Sequence, residues 1–148
     1  KIVSSCDVLI GHDVTGDCGV IGGGCVGAET ADYLANKGHQ VTIVEMMDKI
    51  AAGESTTVLP LMMKDFADHN VKQLVNTKVD HIENNIVYTA NDQIKADTII
   101  NALGSKKNIF DDSSITIPHV CVGDCSGERT ADIASAIRTA YKAANEID

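Results

Sequence analysis

Between Cys18 and Glu45 the chain reads CGVIGGGCVGAETADYLANKGHQVTIVE. An apolar run, a glycine-rich turn, a helical pattern and a second apolar run follow one another there, and few folds accept that order. Gly22, Gly24 and Gly27 stand in Gly-x-Gly-x-x-Gly spacing, and Glu45 closes the second apolar run. A glycine triplet alone is a weak signal. With a strand before it, a helix after it and a carboxylate about twenty residues on, it reads as a dinucleotide-binding unit.

Each position has a physical reason. Gly22 permits the sharp turn out of the strand, Gly24 removes a Cβ where backbone approaches a pyrophosphate, and Gly27 lets the helix pack close to the sheet. The helix N-terminus offers unpaired N–H groups and the positive end of its dipole to the phosphates. Cys25 and Val26, in the first turn of that helix, join the three glycines as candidate cofactor contacts. A carboxylate at Glu45 hydrogen-bonds the ribose hydroxyls of NAD and repels the 2′-phosphate of NADP. No arginine follows among Met46, Met47, Asp48 and Lys49, so NADH is favoured over NADPH.

The remaining pattern is α/β. Helix one is expected over Cys25 to Asn36, with Ala28, Ala31, Leu34 and Ala35 on one face and Gly38 as its stop. Strand two covers Gln40 to Val44. Helix two starts near Thr57, with Leu59, Met62, Met63, Phe66 and Ala67 on one stripe and Pro60 tolerated in the first turn. Val71 to Val75 reads as strand three. Alternation over Lys78 to Ile82 and again over Ile86 to Thr89, with turns at Glu83-Asn84-Asn85 and Asn91-Asp92, predicts a small antiparallel meander in place of a crossover helix. Ala96 to Asn101 is a buried strand running into Ala102-Leu103-Gly104, a turn expected beside the glycine loop. Lys106 and Lys107 follow, more often solvated than ligand-bound. The expected fold is therefore a Rossmann-like three-layer α/β domain of the FAD/NAD(P)-binding type, with a central parallel sheet and a small antiparallel meander. Gly19 is out of place, since a central strand ordinarily carries a bulky residue there.

The last third carries a second signature. Ile117 to Asp124 reads as a strand ending in Gly123-Asp124, a loop covers Cys125 to Arg129, and Ile133, Ile137, Ala140, Tyr141, Ala144 and Ile147 form one apolar stripe of a final helix. The expected divisions are a lead-in over 1–17, an NAD(H)-binding domain over 18–108, and over 109–148 the strand and helix of an incomplete flavin-binding half.

A chain of 148 residues with 44% hydrophobic content can bury one sizeable core. No apolar run approaches a membrane span, and Lys1-Ile2-Val3-Ser4-Ser5 has no signal-peptide pattern. Without an initiator methionine the sequence reads as a piece of something longer. The formal net charge of −9 argues against a nucleic-acid partner, and two Phe, three Tyr and no Trp leave few stacking platforms. Five cysteines, at 6, 18, 25, 121 and 125, make no Cys-x-x-Cys pair. Cys121 and Cys125 look like half a metal site, but no second ligand pair follows and the histidines are scattered, so no metal is expected. The odd count suits a reducing cytoplasm. The helix N-terminus could lower the Cys25 thiol pKa, although the favoured role for Cys25 is a small filler beside the pyrophosphate.

The blocks VIGGGCVGAETADYLANKGHQVTIVE, ADTIINALGS and PHVCVGDCSGERTADIASAIRTAYKAANEI together resemble the carboxyl-terminal region of NADH:flavin oxidoreductases of the 2,4-dienoyl-CoA reductase and 2-enoate reductase type. The likeness covers nearly the whole chain, including a lead-in in which an Asp-Val-Leu helix precedes the nucleotide-binding strand. It implies that a barrel elsewhere in the parent, with FMN and an iron–sulfur cluster, reduces an activated double bond. This region would then belong to a module holding FAD and NAD(P)H, where hydride passes from nicotinamide to FAD. By the same resemblance Gly22, Gly24, Gly27 and Glu45 correspond to the nicotinamide-nucleotide fingerprint and Ala102, Leu103 and Gly104 to the turn beside the dinucleotide. Gly123 and Asp124 match a flavin motif whose aspartate accepts from a ribityl hydroxyl, and Glu29 a position near the nicotinamide. Only one glycine loop is present, so the flavin site is expected to be incomplete, and the chain alone to bind NADH without completing a reaction. The corresponding domain of a pyridine-nucleotide disulfide reductase or NADH oxidase, and a non-enzymatic NAD-sensing module, remain open.

Overall fold

A computed structural model of the chain describes residues 1–104, 111–126 and 133–146. The expectations for Lys106, Lys107, Ile147 and most of the loop up to Arg129 lie outside the described residues. The chain forms two compact units, Lys1–Gly104 and Ser105–Asp148.

The first unit starts with β1 (Ile2–Ser4) and a short helix α1 (Ser5–Leu9), whose capping box joins Ser4 and Asp7 in reciprocal hydrogen bonds. β2 (Cys18–Ile21), α2 (Cys25–Asn36), β3 (Val41–Val44), α3 (Val58–Asp68) and β4 (Lys72–Leu74) follow. The meander comprises β5 (Val79–Glu83), β6 (Ile86–Thr89) and β7 (Gln93–Lys95), and β8 (Thr98–Asn101) ends the unit. The central sheet has the order β1-β8-β2-β3-β4 with every neighbouring pair parallel. Residues 1–17 are woven into it, because β1 pairs with β8 at the edge.

Side chains alternate across this sheet and build one core on each face. Val3, Val20, Ile43 and Ile100 point toward the helices, where Ala28, Ala31 and Leu34 of α2 and Met62 and Phe66 of α3 cover them. Ile21, Val44 and Ile99 point the other way and meet Val87, Ile94 and Ala96 of the meander region. Helices, sheet and meander are thus the three expected layers. Two details depart from expectation. Ala67 is exposed, leaving the α3 stripe to Leu59, Met62, Met63 and Phe66, and the meander has a third strand, β7, too short and polar to stand out in the pattern. α2 ends in a Schellman motif: Gly38, at φ +90°, donates to Ala35 and His39 donates to Leu34.

Gly19 has its explanation here. It is buried in the central strand β2, between Thr42 and Ile99. A Cβ at this position would lie 3.3 Å from the Ala96 Cβ and 4.0 Å from Val87. The meander therefore closes on the sheet over a position where even a Cβ would be tightly packed.

Among its described residues, the second unit contains a 3₁₀ turn at Gly123–Cys125 and α4 (Ile133–Asn145). The expected strand over Ile117 to Asp124 is not formed. Pro118 has no N–H for a ladder, the Ile117 carbonyl accepts from the His119 ring at 2.9 Å, and His119 also bonds Asp112 at 2.9 Å. The final helix turns its small polar side inward. Ser135 and Thr139 are buried, and the Thr139 hydroxyl accepts from the Gly123 N–H at 2.9 Å. The predicted apolar stripe is outward: Ile133 is 81% exposed, Ile137 63% and Tyr141 72%, with Ala140 and Ala144 exposed beside them.

Gly19→Val tests the close approach of the meander. The larger side chain should cost about 1–3 kcal/mol by overpacking, read as a lower urea midpoint at unchanged slope. A gain in stability from the added β-branched residue would refute it.

Candidate functional site

Register brings the site together before any side chain is considered. Ile21 of β2 lies opposite both Val44 of β3 and Asn101 of β8, so the three strands end level. Gly22, Glu45 and Ala102, the residues immediately after them, therefore gather at the carboxyl edge of the sheet, where open α/β sheets bind ligands.

The glycines divide into two kinds. Gly22 has φ +98°, and a Cβ there would lie 2.6 Å from the Ala102 carbonyl oxygen. At Gly27 a Cβ would overlap the Gly22 carbonyl oxygen. Both are glycine because the fold demands it. Gly24 is different: it is the N-cap of α2, exposed, with ordinary φ and nothing within 4 Å of an added Cβ. The first N–H groups of α2 start beside it without intrahelical acceptors.

Glu45 is only 8% exposed. One carboxylate oxygen accepts from the Gly23 N–H at 2.6 Å and the other from the Met47 N–H at 2.7 Å. The side chain thereby ties the glycine turn to the loop after β3. A carboxylate has about four lone-pair sites, so acceptor capacity remains after these two bonds. Sequence reasoning missed this internal duty of Glu45, because backbone N–H partners leave no signature in residue types.

Cys25 is half-buried, and burial, followed by nearby Glu54, pushes its thiol pKa up. The lowered pKa considered from the helix N-terminus is thus corrected, since burial and the neighbouring carboxylate disfavour the thiolate. Val26 and Glu29 are exposed on the first turns of α2. Leu103 is exposed, its N–H donating to the Asn101 side chain at 3.2 Å, and Gly104 has φ +85°.

A cleft of about 430 Å³ opens beside the glycine turn, within the size range of small-ligand sites. Gly22, Met46, Val79, Ile82 and Leu103 supply its apolar walls, and Lys78, Asp80 and His81 also border it. His81 stacks on Tyr88 with ring centroids 4.4 Å apart. Met46, Val79 and Ile82 were absent from the sequence-based candidates. Met46 could have been found as an apolar residue just past the acidic strand end, but nothing in the sequence links it to the meander.

Gly123 and Asp124 lie in the second unit. Gly123 has φ +69°, and the Asp124 side chain is exposed. Among the described residues no group of three His, Cys, Asp or Glu gathers as a metal set, and no helix is long and apolar enough to cross a membrane.

Residues 1–120 match the family described as pyridine nucleotide-disulphide oxidoreductase. The chain belongs to that family. Its members are oxidoreductases and flavoproteins built on NAD- and FAD-binding Rossmann-type domains. Bilirubin reductase of Mediterraneibacter gnavus is 44% identical over 133 residues, covering 85% of this chain and 21% of that protein. Cinnamate reductase of Clostridium sporogenes is 30% identical over 160 residues, covering 99% of the chain and 24% of that protein. A solved 2-naphthoyl-CoA reductase superposes at TM-score 0.77 with 24% identity, over 99% of this chain and 23% of its own, a likeness of fold. The chain spans less than a quarter of the length of each.

Glu45→Gln separates the internal duty from any other. An amide oxygen accepts one of the two N–H bonds while its NH₂ opposes the other, so the ligand-free protein should lose about 1–3 kcal/mol. Urea unfolding without nucleotide reads this directly, and an unchanged midpoint would show that the two bonds do not hold the turn.

Proposed function

We propose that residues 1–104 form the NADH site of a larger flavin-dependent reductase. The observation that carries this is Gly24. No clash and no positive φ demands glycine at 24, where the N-cap role would equally accept Ser, Thr, Asp or Asn, whereas an anion seated on the N-terminus of α2 would occupy the space that a Cβ would take. In this reading the pyrophosphate lies over Gly24, Cys25 and Val26, and the adenosine ribose bonds the remaining acceptor sites of Glu45. The adenine enters the apolar cleft between Met46, Val79 and Leu103. The carboxylate at 45 and the absence of an arginine in the four residues after it favour NADH over NADPH.

Bound nicotinamide supplies a hydride and FAD in the parent protein accepts it. The share of this chain is to bind and orient the dinucleotide, with Ala102-Leu103-Gly104 flanking it and Gly123-Asp124 contributing to the FAD site in the second unit. The relatives named for bilirubin and cinnamate favour a parent of the ene-reductase type, since cinnamate carries a double bond conjugated to a carboxylate. FMN and an iron–sulfur cluster would then lie in other regions of that parent. The outward stripe Ile133, Ile137 and Tyr141 is consistent with a helix that packs on the remainder of the flavin half. Five free cysteines suit a cytoplasmic setting.

Thermal unfolding with NADH, NADPH and FAD added separately tests the reading. Saturation at about 100 times Kd adds roughly 2.7 kcal/mol, so NADH should raise Tm by several degrees and NADPH by less. Gly24→Ala should cost the ligand-free chain at most about 1 kcal/mol as an N-cap change and remove most of the NADH shift. Equal shifts in both variants, or none in the parent sequence, would overturn the assignment.

A further inference from the structure

The first strand of the meander breaks its own alternation where it borders the apolar cleft. Val79 pairs with Thr89 and His81 with Tyr88, so two residues of β5 are matched by one step of β6 and Asp80 has no partner across the ladder. This is a β-bulge, a device that re-aims side chains next to ligand sites. In a regular strand Val79 and Ile82 would face opposite ways. Here both pack against the core on the meander side of the sheet, and Asp80 and His81 between them are both exposed. His81 stacks on Tyr88 with the ring planes 5° apart, a cross-strand contact that braces the bulge. Both bulge residues border the cleft, and among the described residues that line it Asp80 alone carries a carboxylate. Unlike Glu45, whose two oxygens are engaged by backbone N–H groups, the Asp80 carboxylate makes no hydrogen bond or ion pair with a described residue.

We infer that Asp80 makes the cleft selective for a 6-aminopurine, its carboxylate accepting a hydrogen bond from the exocyclic amino group of the base. The inference rests on the reading of this cleft as the adenine end of an NADH site. Apolar walls at Met46, Val79 and Leu103 accept the faces of any purine, so a choice between bases needs a polar group at the rim. An ionised carboxylate only accepts hydrogen bonds. It therefore pairs with the amino group of adenine and opposes the 6-oxo group that hypoxanthine carries at the same place. Lys78, on the same rim, has only donors and cannot accept from an amino group. A carboxylate near a dinucleotide also repels the pyrophosphate, but it does so equally whichever base is attached. The signature of the bulge is thus a ratio of two affinities rather than either affinity alone.

The test is calorimetric titration of the full chain with NADH and, separately, with reduced nicotinamide hypoxanthine dinucleotide, which differs from NADH by a 6-oxo group in place of the 6-amino group. The unaltered chain should bind NADH about tenfold more tightly, the scale of one hydrogen bond to a charged group. Asp80→Ala should bring the two dissociation constants to near equality and leave the ligand-free Tm unchanged, because the side chain is exposed and holds nothing in place. Asp80→Asn, whose amide turns to accept from an amino group or to donate to an oxo group, should close the gap chiefly by tightening the hypoxanthine ligand. Equal binding of both ligands by the unaltered chain, or a preference that survives in Asp80→Ala, would overturn the inference and leave the NADH site standing. Failure of the unaltered chain to bind either ligand would overturn that site, and the inference with it.

Discussion

The approach of α2 to the end of β2 is the contact on which the first unit depends. The backbone at Gly27 sits so near the Gly22 carbonyl that no side chain fits between them, and Gly22 itself lies against Ala102 with no room for a Cβ. Helix, central strand and the turn after β8 therefore meet as bare backbone. Placing α2 there lets Ala28, Ala31 and Leu34 cover the helix-side core, and it sets the helix N-terminus at the carboxyl edge of the sheet.

Glu45 belongs to the same construction. Its two hydrogen bonds span from the glycine turn to the loop after β3, so the carboxylate is pre-positioned by the fold before any ligand arrives. In the proposed site, preorganisation of this kind would lower the ordering cost of binding. It also couples the site to stability, because a group that holds the loop in the ligand-free state cannot be removed without loosening both.

Much of this was legible in the chain because its signals are local. The helix over Cys25–Asn36, its stop at Gly38 and the acidic strand end at Glu45 each follow from a few adjacent residues. The parallel sheet and the meander follow from the order and period of apolar positions. What escaped depends on partners distant in sequence. β1 is three residues long and is a strand only because β8 lies beside it. Ile117 to Asp124 reads as a strand, but Pro118 has no N–H to offer a ladder and the Ile117 carbonyl accepts from the His119 ring. Gly19 looked anomalous until Ala96 and Val87 were seen over it, and the cleft joins Met46 to Val79 and Ile82 through the fold alone.

Gly24 stands apart from its neighbours in one more respect. Positions 22 and 27 have no room for a side chain, whereas a side chain at position 24 would meet no other atom of the chain. In a pool of variants sorted by cellular abundance, substitutions at 22 and 27 would disappear and those at 24 would survive. If the proposed NADH site is right, the same pool sorted by retention on an immobilised nucleotide would lose all three, and the difference between the two sorts would isolate the residues whose identity is owed to the ligand.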